Sequence, residues 1–133
     1  EKLADNLYTD YAHHPSEVTA TLQLARELSE NIVVVYQPHQ NIRQHELQKE
    51  GSYQNCFNNA KKVYWLPTYL SREDNQKVLT AEELSSEVKD IEVELAEMNA
   101  MLSQKIREHL KAGDLVVAMS AGNLDPWLRK EFK

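Results

Sequence analysis

Short unbroken apolar runs alternate along this chain with stretches whose apolar positions fall three and four residues apart. The strongest run, Asn31-Ile32-Val33-Val34-Val35-Tyr36, is β-branched through its centre and shows no polar alternation. Such a run predicts a strand buried on both faces, as in a parallel sheet covered by helices. Leu115-Val116-Val117-Ala118-Met119 is a second run of this kind, and Val63-Tyr64-Trp65-Leu66, closed by Pro67, is a third. Residues 3–9 form a weaker opening strand with Leu7 and Tyr8 as its apolar content.

Helical spacing fills the intervals. Residues 16–30 carry Val18, Leu22, Ala25 and Leu28 on one face, with Ser16 as a cap and Glu17 in the first turn. Residues 45–60 predict a second helix with Leu47, Tyr53, Cys56, Phe57 and Ala60 toward the core. Gly51 inside it costs about 1 kcal/mol relative to Ala and marks a place where it can break. The polar stretch 68–79 is expected to be an exposed loop, and a short helix starts at Thr80, with Glu82 and Glu83 where the helix dipole favours anions. Ile91-Glu92-Val93-Glu94-Leu95 alternates, so it is either an edge-like strand or the start of the next helix; the strand is preferred. Leu95, Met98, Leu102, Ile106 and Leu110 keep helical spacing up to a stop at Gly113, and Trp127, Leu128 and Phe132 belong to a last helix. Strands alternating with helices imply a three-layer α/β fold: a mostly parallel, Rossmann-like sheet with helices on both faces. Residues 1–133 read as a single domain without repeats or low-complexity segments.

Composition narrows the class. With 41% hydrophobic and 27% charged residues the chain is globular, and its net charge of −6 argues against a duplex nucleic acid as partner. No apolar run approaches the roughly 20 residues needed to span a bilayer, and no signal peptide opens the chain, so a cytoplasmic, membrane-free protein is expected. The lone Cys56 cannot form an internal disulfide and reads as a small buried hydrophobe in a reducing compartment. Glu rather than Met stands first, which suggests a piece of a longer protein.

The unusual chemistry lies where strands end. Asp10-Tyr11-Ala12-His13-His14-Pro15 follows the first strand, a loop with His39 and Arg43 the second, Pro67 to Tyr69 the third, and Ser120-Ala121-Gly122-Asn123 the last. In an open parallel sheet all four positions lie at one edge, where ligands bind, so these residues are expected to converge on one crevice. Arg43, with His13 and His39, suits a carboxylate or a phosphoryl oxygen. Asp10 suits sugar hydroxyls or an ammonium group, and the turn at Ser120 leads into a helix N-terminus that offers N–H groups to an anion. A metal is not expected: His13 and His14 are adjacent and diverge, no C-x-x-C or H-E-x-x-H is present, and His45 and His109 read as helix-surface residues. A nucleophile is not expected either, since Cys56 lies within a helical pattern and Ser120 has no G-x-S-x-G elbow. Three glycines in all exclude both a Walker loop and a G-x-G-x-x-G fingerprint.

These motifs, taken in order over nearly the whole chain, resemble the C-terminal domain of the muramyl ligases, the ATP-dependent amide-forming enzymes of bacterial cell-wall precursor synthesis. Tyr-Ala-His-His-Pro after Asp10 looks like the hallmark of the alanine-adding branch. Gln37-Pro38-His39 with Arg43 is similar to its second motif, and Ser120-Ala121-Gly122-Asn123 to its last strand–turn. The resemblance implies that the UDP-sugar domain and the central ATPase domain, which holds the phosphate loop and most magnesium ligands, lie outside this chain. It implies a reaction in which ATP phosphorylates the muramyl carboxylate and an amine attacks the acyl-phosphate. By the same resemblance Asp10 lies near the ATP ribose, while Tyr11, His13, His39, Arg43 and Ser120 line the amino-acid pocket, with Arg43 on the substrate carboxylate. ATP and Mg would serve the full-length enzyme, this piece holding neither and catalysing nothing alone. The family usually has Arg after the histidine of the second motif, where this chain has Gln40, and Thr9 precedes Asp10. The family's recycling branch, which attaches a murein tripeptide to UDP-N-acetylmuramate, shares the first motif and is one alternative; a stand-alone module binding an anionic small molecule is the other.

Overall fold

The computed structural model describes residues 1–70 and 76–132. The opening strand is in fact two, β1 (Lys2–Ala4) and β2 (Leu7–Asp10), paired antiparallel through a turn in which Asn6 takes a left-handed conformation (φ 64°). After α1 (Pro15–Ala25) come β3 (Ile32–Tyr36), α2 (Asn41–Glu50), β4 (Lys62–Trp65), α3 (Ala81–Ser85), β5 (Glu92–Leu95), α4 (Ala100–Lys111), β6 (Leu115–Met119) and α5 (Leu124–Phe132). The strands lie in the order β1-β2-β6-β3-β4-β5, and all neighbours except β1 run parallel. The alternating stretch 91–95 is therefore a strand.

Steps from β2 to β3, β4 and β5 run one way across the sheet, and the return to β6 runs the other. With right-handed crossovers this places α1–α3 on one face and α4 on the opposite one, where α5 packs beside it. The core divides accordingly. Val18, Leu22, Leu47 and Leu84 pack with Val34, Tyr36, Val63 and Trp65; Leu102, Ile106, Leu124 and Leu128 pack with Val33, Val35, Tyr64 and Val116. Both β3 and β6 are buried at every position, as their unbroken apolar runs require.

Helix boundaries differ from the sequence expectation. α1 ends at Ala25, and Leu28 is exposed rather than part of the buried face. α2 starts four residues earlier than expected and stops at Gly51, whose φ of 67° closes the helix in a left-handed cap. Tyr53, Cys56, Phe57 and Ala60 are buried as expected, but on a run of turns. There Tyr53 and Phe57 meet Tyr36 and Trp65 edge-on, with centroids 4.9–5.8 Å apart, a geometry aromatic quadrupoles favour. Burial pushes the Cys56 thiol up to about 12, so it stays an inert thiol. In the 68–79 stretch Leu70 and Val78 are exposed but Leu79 is buried; residues 71–75 lie outside the described ones.

The amino-end edge carries its own polar brace. Lys61 Nζ donates to Asp114 Oδ1 (2.7 Å), His109 Nδ1 to Asp114 Oδ2 (2.8 Å), and the Tyr64 hydroxyl reaches His109 Nε2 at 2.7 Å. His109 is thus a linked, part-buried residue and not a helix-surface one. On the outer strand β5, Glu92 and Glu94 pair with Lys62 of β4, and Glu94 also with Lys105 of α4, charges that blunt an edge otherwise open to strand pairing.

Candidate functional site

β6 lies between β2 and β3, and the chain leaves it toward the opposite face from theirs. Loops at its carboxyl end therefore part to either side and leave a crevice, the usual ligand position in such sheets. The ladder continues one step beyond the strands: Ser120 N donates to Asp10 O (3.0 Å) and Gln37 N to Met119 O (3.0 Å). Three loops thus begin from one rung.

In the first loop the Asp10 carboxylate folds the chain back on itself, accepting from Ala12 N (3.0 Å) and the Thr21 hydroxyl (3.1 Å). Tyr11 projects outward with 78% exposure. His13 Nδ1 donates to the Tyr11 carbonyl (2.8 Å); since a carbonyl only accepts, the neutral ring keeps its lone pair on Nε2. The helix cap is His14 and not Ser16: its Nδ1 accepts from Ser16 N (3.2 Å), Glu17 reaches back to His14 N (3.0 Å), and Pro15 takes the first helical position. That bond from the His14 N–H holds the Glu17 carboxyl below the usual carboxylate range.

The second and third loops clasp each other. Gln40 N donates to Tyr69 O and Tyr69 N to Pro38 O, both at 2.8 Å. This clasp holds Gln40 at φ 63°, a conformation costing about 1–3 kcal/mol for a side-chain-bearing residue. The Tyr69 ring stacks on His39 (5.6 Å, 9°), and His13 meets His39 from another direction at 5.3 Å. Burial, helped by His13, lowers the His39 pKa and favours its neutral form. Its Nδ1 is buried and, among the described residues, has no hydrogen-bond partner.

The fourth loop turns on Ser120, whose hydroxyl donates to Gln37 Oε1 (2.5 Å) and accepts from Gly122 N (2.9 Å). Gln37 Nε2 then donates to Asn123 Oδ1 (2.7 Å). One N–H expected to await an anion at this turn is therefore already bonded inside the protein.

A crevice of about 270 Å³ gathers Asp10, Tyr11 and Ser120 with Thr9, Asp125 and Arg129. His13 and His39 do not line it but meet each other through ring contact. Arg43 does not lie on a loop: it stands in the first turn of α2, 52% exposed at its side chain, and pairs with Glu46 at 3.5 Å. The sequence reading missed Gln37 and Tyr69 as organising residues. Their signal was position, since each directly follows or closely trails a strand. Among the described residues no three His, Cys, Asp or Glu side chains gather closely enough to hold a metal ion, and no helix is long and apolar enough to cross a membrane.

The Mur ligase, glutamate ligase domain family matches residues 3–122. The UDP-N-acetylmuramate–L-alanine ligase of Mesorhizobium japonicum is 33% identical over 126 residues, covering 92% of this chain and 27% of that enzyme. Its counterpart from Brucella ovis is 33% identical over 128 residues, covering 91% and 27%. The chain thus spans about a quarter of the length of these relatives. A crystallised domain assigned to a UDP-N-acetylmuramate:L-alanyl-gamma-D-glutamyl-meso-diaminopimelate ligase of Haemophilus ducreyi superposes with a TM-score of 0.54 at 21% identity, covering 95% of this chain and 87% of that one. At that identity the likeness speaks for the fold.

Proposed function

Because this chain belongs to the Mur ligase family, as its C-terminal domain, we propose that it completes an ATP-dependent UDP-N-acetylmuramate–L-alanine ligase of peptidoglycan precursor synthesis. The parent enzyme would work in the cytoplasm through an acyl-phosphate, with UDP-N-acetylmuramate, the amino acid and ATP as its ligands. One observation carries the reading: the histidines of the first two motifs, 26 positions apart in sequence, meet at the carboxyl edge of the sheet. They do so in a chain one-third identical to L-alanine ligases over nearly its whole length.

The residues suit the roles proposed for them. Among the described residues each carboxylate oxygen of Asp10 has one donor and keeps a second lone pair, so a ribose hydroxyl could still be bound. Only part of the Arg43 donor fork is engaged by Glu46, at a distance typical of a weak surface pair. A neutral His39 beside His13 leaves room for the positive charge of an incoming amino group before it loses its proton. Tyr11 and Ser120 would shape the pocket wall. Magnesium and the nucleotide triphosphate would be held by the phosphate loop of a domain outside this chain, so the isolated chain should catalyse nothing.

The test is Arg43→Ala in the full-length enzyme, with each substrate varied in turn. Loss of charge-assisted hydrogen bonds worth about 1.5–3 kcal/mol should weaken amino-acid binding roughly ten- to a hundredfold. The KM values for ATP and the UDP-sugar should move much less. Unaltered dependence on the amino acid would remove Arg43 from the pocket, and Gln40→Arg should tighten carboxylate binding only if the pocket reaches that position. Preference for a murein tripeptide over L-alanine would select the recycling branch instead.

A further inference from the structure

Beneath the two histidine loops lies a buried polar chain that the ligase reading leaves unused. The Tyr36 hydroxyl donates to the His13 carbonyl. It also lies 2.8 Å from the Tyr53 hydroxyl, which donates to Gln44 Oε1 at 2.6 Å. Gln44 Nε2 in turn donates to the His39 carbonyl at 3.0 Å. Tyr36, Tyr53 and Gln44 are each at most 1% exposed. A polar chain buried so deeply is costly unless satisfied, and this one ends at both tips on the backbone of a site histidine.

We propose that Tyr36, Tyr53 and Gln44 are positioning residues that set the separation of His13 and His39, each loop being held by its own carbonyl. The direction of every bond follows from the ends. A carbonyl at His39 requires the Gln44 amide nitrogen, which turns Oε1 toward Tyr53 and claims that hydroxyl's one proton. The Tyr36 proton goes to His13. Two protons thus serve three contacts, and the Tyr36–Tyr53 contact is held by ring packing, edge-on at 5.8 Å, with both rings against Trp65 at about 5 Å. Burial raises the pKa of both phenols, so neither proton is lost in the working range. The device is therefore two clamps on one rigid aromatic block: Tyr36 holds His13, while Tyr53 acting through Gln44 holds His39.

Only the functional consequence rests on the ligase reading; the geometry can be tested on this chain alone. With histidine-labelled protein, an NMR cross-peak between the His13 and His39 rings is expected in the parent chain. Tyr36→Phe should shift the His13 signals and Tyr53→Phe the His39 signals, each with loss of the cross-peak. Tyr64→Phe, which deletes a hydroxyl bonded to His109 at the opposite edge, should retain it. If Tyr36→Phe fails to fold, as judged by circular dichroism, Tyr53→Phe and Gln44→Met carry the same test. Retention of the cross-peak in the folded Tyr36→Phe and Tyr53→Phe chains would overturn the proposal, as would its loss in Tyr64→Phe. In the full-length enzyme a displacement near 1 Å can cost about a hundredfold in rate, so Tyr53→Phe should lower kcat/KM for the amino acid more than for ATP. If the cross-peak is lost while amino-acid kinetics stay unchanged, the clamps stand and the amino-acid pocket falls.

Discussion

Gly122 is a position where one added carbon should disturb both the site and the stability of the fold. A Cβ built there would lie 2.6 Å from Tyr69 Cγ, 2.9 Å from Tyr69 Cβ and 2.7 Å from Gln37 Oε1. Neither neighbour can give way cheaply. Tyr69 is stacked on His39 and tied by its backbone to Pro38 and Gln40, and Gln37 is buried between Ser120 and Asn123. Overpacking of this kind costs about 1–3 kcal/mol. For a domain of this size that is a fall in Tm of roughly 3–15 °C. Relief must come from the Tyr69 ring, so the His39 signals should shift as well. Thermal unfolding of Gly122→Ala followed by circular dichroism, with NMR of the histidines, measures both effects. Gly113→Ala is the comparator: its added carbon meets nothing within 4 Å among the described residues but must accept a φ of 91°. It should cost about 1–2 kcal/mol of backbone strain and leave His39 alone. A Gly122→Ala chain with parental Tm and unmoved His39 signals would refute the close approach.

Two further outcomes are expected. Burial would raise the Asp114 carboxyl, but bonds from Lys61 and His109 outweigh it and hold the pKa below the usual 3.8. Its stabilising contribution is therefore present above the unfolded-state value and disappears as pH falls through the lower folded-state value. Urea denaturation across pH should find Asp114→Asn about 1.5–3 kcal/mol less stable near neutrality, with the gap closing in acid; a constant gap would refute the assignment. His14→Ala should cost roughly 0.5–2 kcal/mol by removing the α1 cap, while His14→Asn recovers most of it. Equal stabilities in chemical denaturation of the parent and the Ala variant would place the cap elsewhere.

Some of this molecule is written locally. The runs at 31–36 and 115–119 contain too many consecutive apolar residues for a strand with one wet face, so the parallel, helix-covered sheet is legible in the sequence. Three glycines excluded a phosphate loop by simple counting. Parallel topology then places all strand ends on one edge, which is why the loops carrying His13, His39 and Ser120 could be grouped from sequence. Other features depended on partners distant in the chain. Nothing local says that residues 3–9 divide at Asn6, because the hairpin is made worthwhile by β2 pairing with β6. Helix α2 begins at Asn41 since the Asn41 side chain anchors Leu79 and Lys77 from across a loop, and this moved Arg43 from loop to helix. His14 became a cap only once Pro15 took the first helical position. Gln37 and the tyrosines at 36 and 53 read as polar loop and core residues. Their roles come from a hydroxyl, an amide and a carbonyl brought within 3 Å from separate elements, a coincidence that chain order does not encode and tertiary packing alone supplies.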